Sequence, residues 1–459
     1  MFEPLTLRDA LDRLLADLPQ RRYCVAFSGG IDSTVLLHAL AQLGVAAPQG
    51  AVRAIHVNHH LHPQADAWAA RAREIATGLQ VPLTVLDAHI APAKGESLEA
   101  VARQQRYDLL QRALLPGEIL LTAHHRDDQL ETFLLQLVRG AGVPGLAAMP
   151  GRAPFASGWH VRPLLEATRA ALFDYARRNG LEWVEDTSNL DVRFDRNFLR
   201  HSVLPALREH WPAIATSVAR SAAHMAEARE LLDEIARQDL AGARDGSTLQ
   251  CAALRSLSPA HARNLVRYWL REQGFSAPSA ARLEQVVNGV LHARVDAMPA
   301  VRWPLAEVRR YRDRLYVMAP LPPAPRNPIA WDWKGNPSVG LGEGAGTLRI
   351  TNEPGVGLRL GGLPCPLRIE WRSSDAKLKP DEGRPGRTLR YLFQEAGIVP
   401  WMRARIPLLI SGERLISVGD LYADAQFRAA EGEGGRGRTG GSGPRESVGL
   451  QWLDHPAIH

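Results

Sequence analysis

Residues 23–40, YCVAFSGGIDSTVLLHAL, pass from an apolar run through a tight polar loop into an apolar helix. An apolar strand that turns at two glycines and opens a helix is how a parallel α/β sheet begins. The stretch from Arg22 to about Gly140 keeps that rhythm. Strand-like runs are YCVAF, AVRAIHV, PLTVLDA and EILLTAH; helical runs are Thr34–Leu43, Ala65–Leu79, Ser97–Leu115 and Asp127–Arg139. The alternation predicts an α/β fold with a Rossmann-like parallel-sheet N-terminal domain. Ahead of it, MFEPLTLRDALDRLLADL reads as an amphipathic helix with Leu7, Leu11, Leu14, Leu15 and Leu18 on one face. It carries acids early and lacks a basic start followed by an apolar block, so it is not read as a secretory signal.

The chain has 459 residues, too many for one core. Four segments are expected: 1–214, the α/β domain; 215–319, a mostly helical domain with VRRYRDRLYVMAP as its closing strand; 320–337, a proline-rich linker; and 338–459, a small α+β domain. A flexible insert is expected near 431–447, where EGEGGRGRTGGSGPRES is low in complexity. No apolar run is long enough to span a bilayer, so no membrane is expected. The three cysteines, Cys24, Cys251 and Cys365, have neither metal nor redox spacing, and a reducing cytoplasm is the simplest setting. The net charge of +6 permits a polyanionic partner.

The loop Ser28, Gly29, Gly30, Ile31, Asp32, Ser33 has the chemistry of a phosphate site. Its glycines let backbone N–H groups approach an anion, and the helix that follows adds its positive end. Asp32 is tolerable beside phosphate only with a cation between them, and Mg²⁺ held through ATP phosphates fits. A loop of the Walker type carries a lysine for the outer phosphates. Here that lysine is missing, which points to pyrophosphate as leaving group and to adenylation.

Two further stretches carry chemistry. HVNHHLH, with His56, His59, His60 and His62, follows the second strand. Irregular spacing and the lack of a cysteine favour polar loop residues beside a nucleotide over a zinc site. TAHHRDDQLETFLLQLVRGAG follows the fourth strand. His124, Asp128 and Glu131 share a face if the helix begins early, and Asp127 and Glu131 lie one turn apart. Acids facing one crevice suit Mg²⁺ or a cationic amine; acids at a helix start also suit the helix dipole. Arg193, Arg196 and Arg200 in EDTSNLDVRFDRNFLRHSVLPAL can reach phosphate or a carboxylate.

Between Arg359 and Arg405 there are ten basic and five acidic residues, 10 − 5 = +5, interleaved with Trp371 and Trp401. Arginines beside aromatic rings suit phosphate and stacked bases.

Together, SGGIDS, HVNHHLH, EAVARQQRYDLL, LLTAHHRDDQLETFLLQLVRGAGVPGLAAM, RPLL, WVEDTSNLDVRFDRNFLRHSVLPAL and the distant LRYLFQEAGIVPWMRARIPLL resemble the tRNA(Ile)-lysidine synthetase family of pyrophosphate-loop ATPases. The resemblance spans most of the chain. The sequence departs from the family at His60, where glycine is usual, at Val399, often proline, and in the insert. The resemblance implies ATP-dependent adenylation of the C2 oxygen of the wobble cytidine in a CAU-anticodon tRNA(Ile). Free L-lysine then attacks and displaces AMP, and decoding changes from AUG to AUA. It implies that Ser28, Gly29, Gly30, Ile31, Asp32 and Ser33 bind ATP and Mg²⁺. His124 would serve adenylation, Asp128 and Glu131 would hold lysine, and Arg196, with Asn197 beside it, would steady the adenylate or the tRNA. It makes 1–214 the catalytic domain, 215–319 a substrate-recognition domain and 338–459 a tRNA-binding domain. A tRNA thiolase shares the adenylation chemistry but usually carries clustered cysteines.

Overall fold

The computed structural model describes residues 1–18, 21–44, 52–91, 98–186, 191–294, 297–351, 356–360, 363, 365–371, 376–383, 385–428 and 448–458. The expected insert at 431–447 lies outside the described residues. Two compact units divide the chain, Met1–Leu232 and Asp233–His459.

The first unit is built on six strands: β1 Arg22–Ala26, β2 Val52–Asn58, β3 Leu83–Asp87, β4 Glu118–Leu121, β5 Arg152–Phe155 and β6 Gly158–Val161. Their order is β3-β2-β1-β4-β6-β5, all parallel except the β5–β6 pair. The helices of this unit include α1 Pro4–Leu14, α2 Ile31–Gln42, α3 Ala65–Gly78, α4 Leu98–Ala113 and α5 Arg126–Val138. α2 is buried on nearly all sides from Ser33 to Leu40, with Val35, Leu36, Leu37, Ala39 and Leu40 fully buried. Leu7, Leu11 and Leu15 pack into the same core. Strand order reverses between β1 and β4. In a doubly wound sheet the crevice beyond the strand ends at such a reversal is where ligands sit.

In the second unit, residues Asp233–Met318 carry helices and a five-stranded antiparallel sheet. VRRYRDRLYVMAP, expected as one strand, forms two: Ala306–Tyr311 and Arg314–Met318 pair across a two-residue turn. Arg312 takes φ +52° there, the left-handed geometry a tight hairpin needs. The strand–turn–strand passage is short enough to read as a single run.

Beyond it, a five-stranded sheet (Ile329–Trp331, Leu367–Glu370, Leu408–Ser411, Arg414–Val418, Tyr422–Ala423) and a four-stranded sheet (Ser338–Gly340, Thr347–Thr351, Val356–Leu358, Val448–Leu453) share one apolar core. The proline-rich stretch thus ends in a strand, Ile329–Trp331, paired with Leu367–Ile369. Trp371 is not a stacking platform but core, 7% exposed. Leu367, Ile369 and Trp371 alternate with Arg368 and Glu370, so strand periodicity turns the ring inward. Trp401 is half-buried against Tyr316, ring centres 5.3 Å apart, with the Arg309 guanidinium 5.2 Å from its own ring centre. Trp371→Ala is expected to cost about 3 to 5 kcal/mol of stability, measured by denaturant titration. Unchanged stability with weakened RNA binding would restore the stacking role.

No helix among the described residues is long and apolar enough to cross a membrane. All three cysteines are free, with Cys24 and Cys251 buried.

Candidate active site

The loop after β1 is shaped by Gly29, at φ +80°. A Cβ there would meet Cγ2 of Val184 at 3.2 Å, and Val184 donates its N–H to the Gly29 carbonyl, 2.8 Å. Ser33 donates its hydroxyl to the Gly30 carbonyl, 2.9 Å, and lies 3.1 Å from the Ser28 hydroxyl. The loop is therefore braced from within, and α2 begins directly at Ile31. Gly29→Ala is expected to cost about 1 to 2 kcal/mol of stability from backbone strain and to raise the ATP requirement. An unchanged melting midpoint and KM for ATP would contradict it.

Asp32 has one carboxylate oxygen, Oδ1, buried without a hydrogen-bond partner among the described residues. The other, Oδ2, is 3.6 Å from Nε2 of His125. An orphaned carboxylate oxygen in a phosphate loop is costly unless a cation completes it, and a hard, oxygen-seeking ion such as Mg²⁺ fits that donor.

Across the strand-order reversal, α5 begins at Arg126 with His125 as its N-cap. The His125 N–H donates to Asp128 Oδ2, 2.9 Å, and the Asp128 N–H reaches His125 Nδ1, 3.4 Å. His124 therefore precedes the helix and shares no helical face with Asp128 and Glu131. The expected early start fails because the His125 side chain closes the first turn, a cap formed here by histidine where Ser, Thr, Asp or Asn is usual. Burial alone would lower the His125 pKa, but Asp32, Asp128 and Asp127 together raise it. Burial holds the Asp128 carboxyl above its usual range, against His125 and Arg196.

Glu131, expected as an open ligand for an amine, is already engaged. Its carboxylate is 1% exposed and accepts from Nε of Arg196 and of Arg200, both at 2.8 Å. Asp128 lies 3.7 Å from both guanidiniums and, unlike Glu131, faces open space. Asp127 turns away to meet Arg208 and the backbone N–H of Arg169. Arg193 is exposed and forked onto its neighbour Asp191. Asn197 is buried, and its amide donates to the Asp191 carbonyl, 3.0 Å.

These groups surround a cavity of about 760 Å³. Ser28, Gly30, Ile31 and Asp32 line it from one side of the sheet reversal, His124, His125 and Asp128 from the other, and Arg196 and Arg200 close it. Gly29 and Ser33 shape the loop without lining the cavity. Motif reading missed His125, Arg103 and Arg106 on α4, Arg169, and the edge-to-face pair Phe173–Trp183, ring centres 5.9 Å apart. The signal for Arg103 and Arg106 was their place in EAVARQQRYDLL, and for His125 its place beside His124 in TAHHRDDQ.

The histidine loop disperses. His56 Nδ1 lies 2.9 Å from the Phe27 carbonyl, His60 bonds Asp87 at 2.9 Å, and His62 stacks on Trp68. His59 alone lines the cavity, its pKa pushed down to about 4 by burial and then by Arg106. Among the described residues, no group of three or more His, Cys, Asp or Glu converges to hold a metal.

Comparison with known proteins decides the lineage. A PP-loop domain matches residues 5–207, a TilS substrate binding domain matches 249–316, and a TilS substrate C-terminal domain matches 367–437. The tRNA(Ile)-lysidine synthase of Alkalilimnicola ehrlichii is 44% identical over 429 residues, covering 92% of this chain and 95% of that one. The chain belongs to the tRNA(Ile)-lysidine synthase family. The Coxiella burnetii synthase is 41% identical, over 86% of this chain and 88% of its own, and that of Escherichia coli O157:H7 is 41% identical over 91% and 96%. His60 stands at φ +51°, a backbone geometry that favours glycine. Its bond to Asp87 is therefore made by a residue holding a strained turn.

Proposed function

We propose that this one cavity runs both half-reactions, with the phosphate loop and Asp32 serving ATP and Asp128 serving L-lysine. The activity follows from family membership. The protein is a ligase that forms a carbon–nitrogen bond, making lysidine in tRNA(Ile) with the use of ATP. The thiolase alternative is not favoured: the curated relatives are lysidine synthases, and the cysteines are scattered.

In the first half-reaction the C2 oxygen of the wobble cytidine bonds to the α-phosphorus, and pyrophosphate leaves with the electron pair of the broken bond. In the second, the lysine amine bonds to C2, the C2–oxygen bond breaks, and AMP leaves while the nitrogen sheds its proton. Asp32 would hold Mg²⁺, which supplies positive charge to the phosphate oxygens. Ser28, Gly30 and Ile31 meet the phosphates where N–H groups of the loop and the start of α2 converge. His124 serves the adenylation step. Asp128 meets the lysine ammonium at contact range. Glu131 acts behind it, holding Arg196 and Arg200 toward the adenylate or the tRNA, with Asn197 fixing the Arg196 turn.

We assign catalysis to 1–214, substrate recognition to 215–319 and tRNA binding to 338–459, with 320–337 joining the last two. The family matches at 5–207, 249–316 and 367–437 support that division, although compactness divides the chain at Leu232. Exposed Arg359, Arg368, Lys377 and Arg390 support a polyanion surface on the last domain.

The carrying observation is the meeting of phosphate loop, Asp128 and Arg196 around one nucleotide-sized cavity. The test is incubation of the full chain with ATP, labelled L-lysine and a CAU-anticodon tRNA(Ile) transcript. Label should enter the tRNA as lysidine by mass, with one AMP and one pyrophosphate released per lysine. Pyrophosphate release without labelled tRNA would reject lysine as the acceptor. Affinity for tRNA should also fall steeply with salt, by counterion release.

A further inference from the structure

Behind the cavity wall, four side chains form one hydrogen-bonded line. Thr122, just past β4, holds its hydroxyl 2.8 Å from Nδ1 of His124 and 2.8 Å from Nε2 of His160. His160 sits on β6 opposite Leu120. Its other nitrogen, Nδ1, is 3.1 Å from a terminal nitrogen of Arg162. Thr122, His160 and Arg162 are all buried.

The direction of the protons can be read from one end of the line. A guanidinium has donors and no acceptor. Arg162 therefore donates to Nδ1 of His160, whose single ring proton must then lie on Nε2. That N–H donates to the Thr122 oxygen. The Thr122 oxygen could accept twice, but its one hydrogen needs an acceptor, and among the described residues Nδ1 of His124 is the one left within reach, so the hydrogen goes there. His124 accepts at Nδ1 and keeps its proton on Nε2, a nitrogen with no hydrogen-bond partner among the described residues, on a ring that lines the cavity.

We propose that Arg162, acting through His160 and Thr122, is a positioning residue that fixes His124 as a neutral Nε2–H donor toward the α-phosphate. This rests on the assignment of His124 to adenylation. As the cytidine oxygen bonds to phosphorus and pyrophosphate departs, charge builds on the non-bridging oxygens. A preset donor stabilises that charge without moving a proton, and a neutral imidazole can act as such a donor. Both rings are kept uncharged. Burial, then Arg162, holds His124 well below the usual imidazole range, and the same causes push His160 down to about 3. Reversing the line would require Arg162 to accept a hydrogen bond. A doubly protonated His160 would put a second buried cation beside Arg162.

Two measurements test this on the full chain. Long-range ¹⁵N–¹H NMR of histidine-labelled protein, with His124 assigned by its loss in His124→Gln, should show a protonated Nε2 and a bare Nδ1. A protonated Nδ1, or a cationic ring at neutral pH, overturns the proposal. Thr122→Val keeps the side-chain shape and removes both bonds. It should slow pyrophosphate release on tRNA about ten- to a hundredfold with the KM for lysine unchanged. Thr122→Ser, which keeps the hydroxyl, should recover most of that rate. Wild-type rates in Thr122→Val, or equal losses in both variants at unchanged melting temperature, overturn it. If His124→Gln adenylates normally, the assignment of His124 to that step falls, and with it the use of the proton; the tautomer itself is decided by the spectrum alone.

Discussion

Asp32→Ala is expected to abolish lysidine formation, by at least about a hundredfold, and to leave the fold intact. The two halves of that expectation have one cause. Oδ1 of Asp32 is buried without a hydrogen-bond partner among the described residues, and Oδ2 reaches only a long contact to His125. A carboxylate held this way is a burden on the empty fold, because desolvation is not offset by bonds. Removing it should leave the melting midpoint unchanged or slightly higher. In the proposed reading the same carboxylate would anchor the cation beside bound triphosphate, so its loss would fall entirely on the reaction. A variant that forms lysidine at near wild-type rate would end the metal role of Asp32. A variant that is inactive and also unfolded would show that the residue holds the loop.

Glu131→Gln and Asp128→Asn are expected to fail in different ways, although both remove one acid from the same helix. Glu131 is 1% exposed and binds two guanidiniums whose side chains are 26% and 22% exposed. Breaking a buried ion pair on one side costs about 3 to 5 kcal/mol, and the partial exposure of the arginines places this one near the lower figure. Glu131→Gln should therefore lower the melting midpoint and weaken ATP, tRNA and lysine dependence together, because Arg196 and Arg200 lose their seat. Asp128→Asn keeps the cap from the His125 N–H and should leave stability nearly unchanged. It removes the charge that meets an ammonium, worth about 2 to 5 kcal/mol, so the KM for lysine should rise with that for ATP little altered. Steady-state kinetics beside thermal melts separate the two. Equal effects on lysine with no loss of stability in Glu131→Gln would return Glu131 to direct contact with the amine.

The phosphate loop and the parallel sheet were legible because their signals are local. Two glycines between an apolar strand and an apolar helix permit one backbone path, and each of β1 to β4 lies within a single apolar run. What escaped is what tertiary contact makes. Nothing near Glu131 in sequence says that Arg196 and Arg200 will cover it, since 65 and 69 residues separate the partners. The His125 cap escaped because histidine is an unusual N-cap. The line from Arg162 to His124 joins the ends of two strands that pair only once the sheet forms. Trp371 was misread for a different reason. Its charged neighbours were counted as a surface, when their alternation with Leu367 and Ile369 already placed the ring inside.

The lining of the cavity also favours an order of arrival. Its acids are Asp32, Asp128, Glu185 and Asp186 and its arginines Arg103, Arg106, Arg169, Arg196 and Arg200, of which the last two are bonded to the Glu131 carboxylate, so the charges of the empty cavity come close to cancelling. An empty cavity so balanced gives a free lysine, itself cationic, no long-range attraction. A seated nucleotide carrying several negative charges would turn that balance negative and make Asp128 part of a negative surround. A lysine would then be favoured only after the nucleotide is in place, which limits unproductive encounters between lysine and the vacant enzyme.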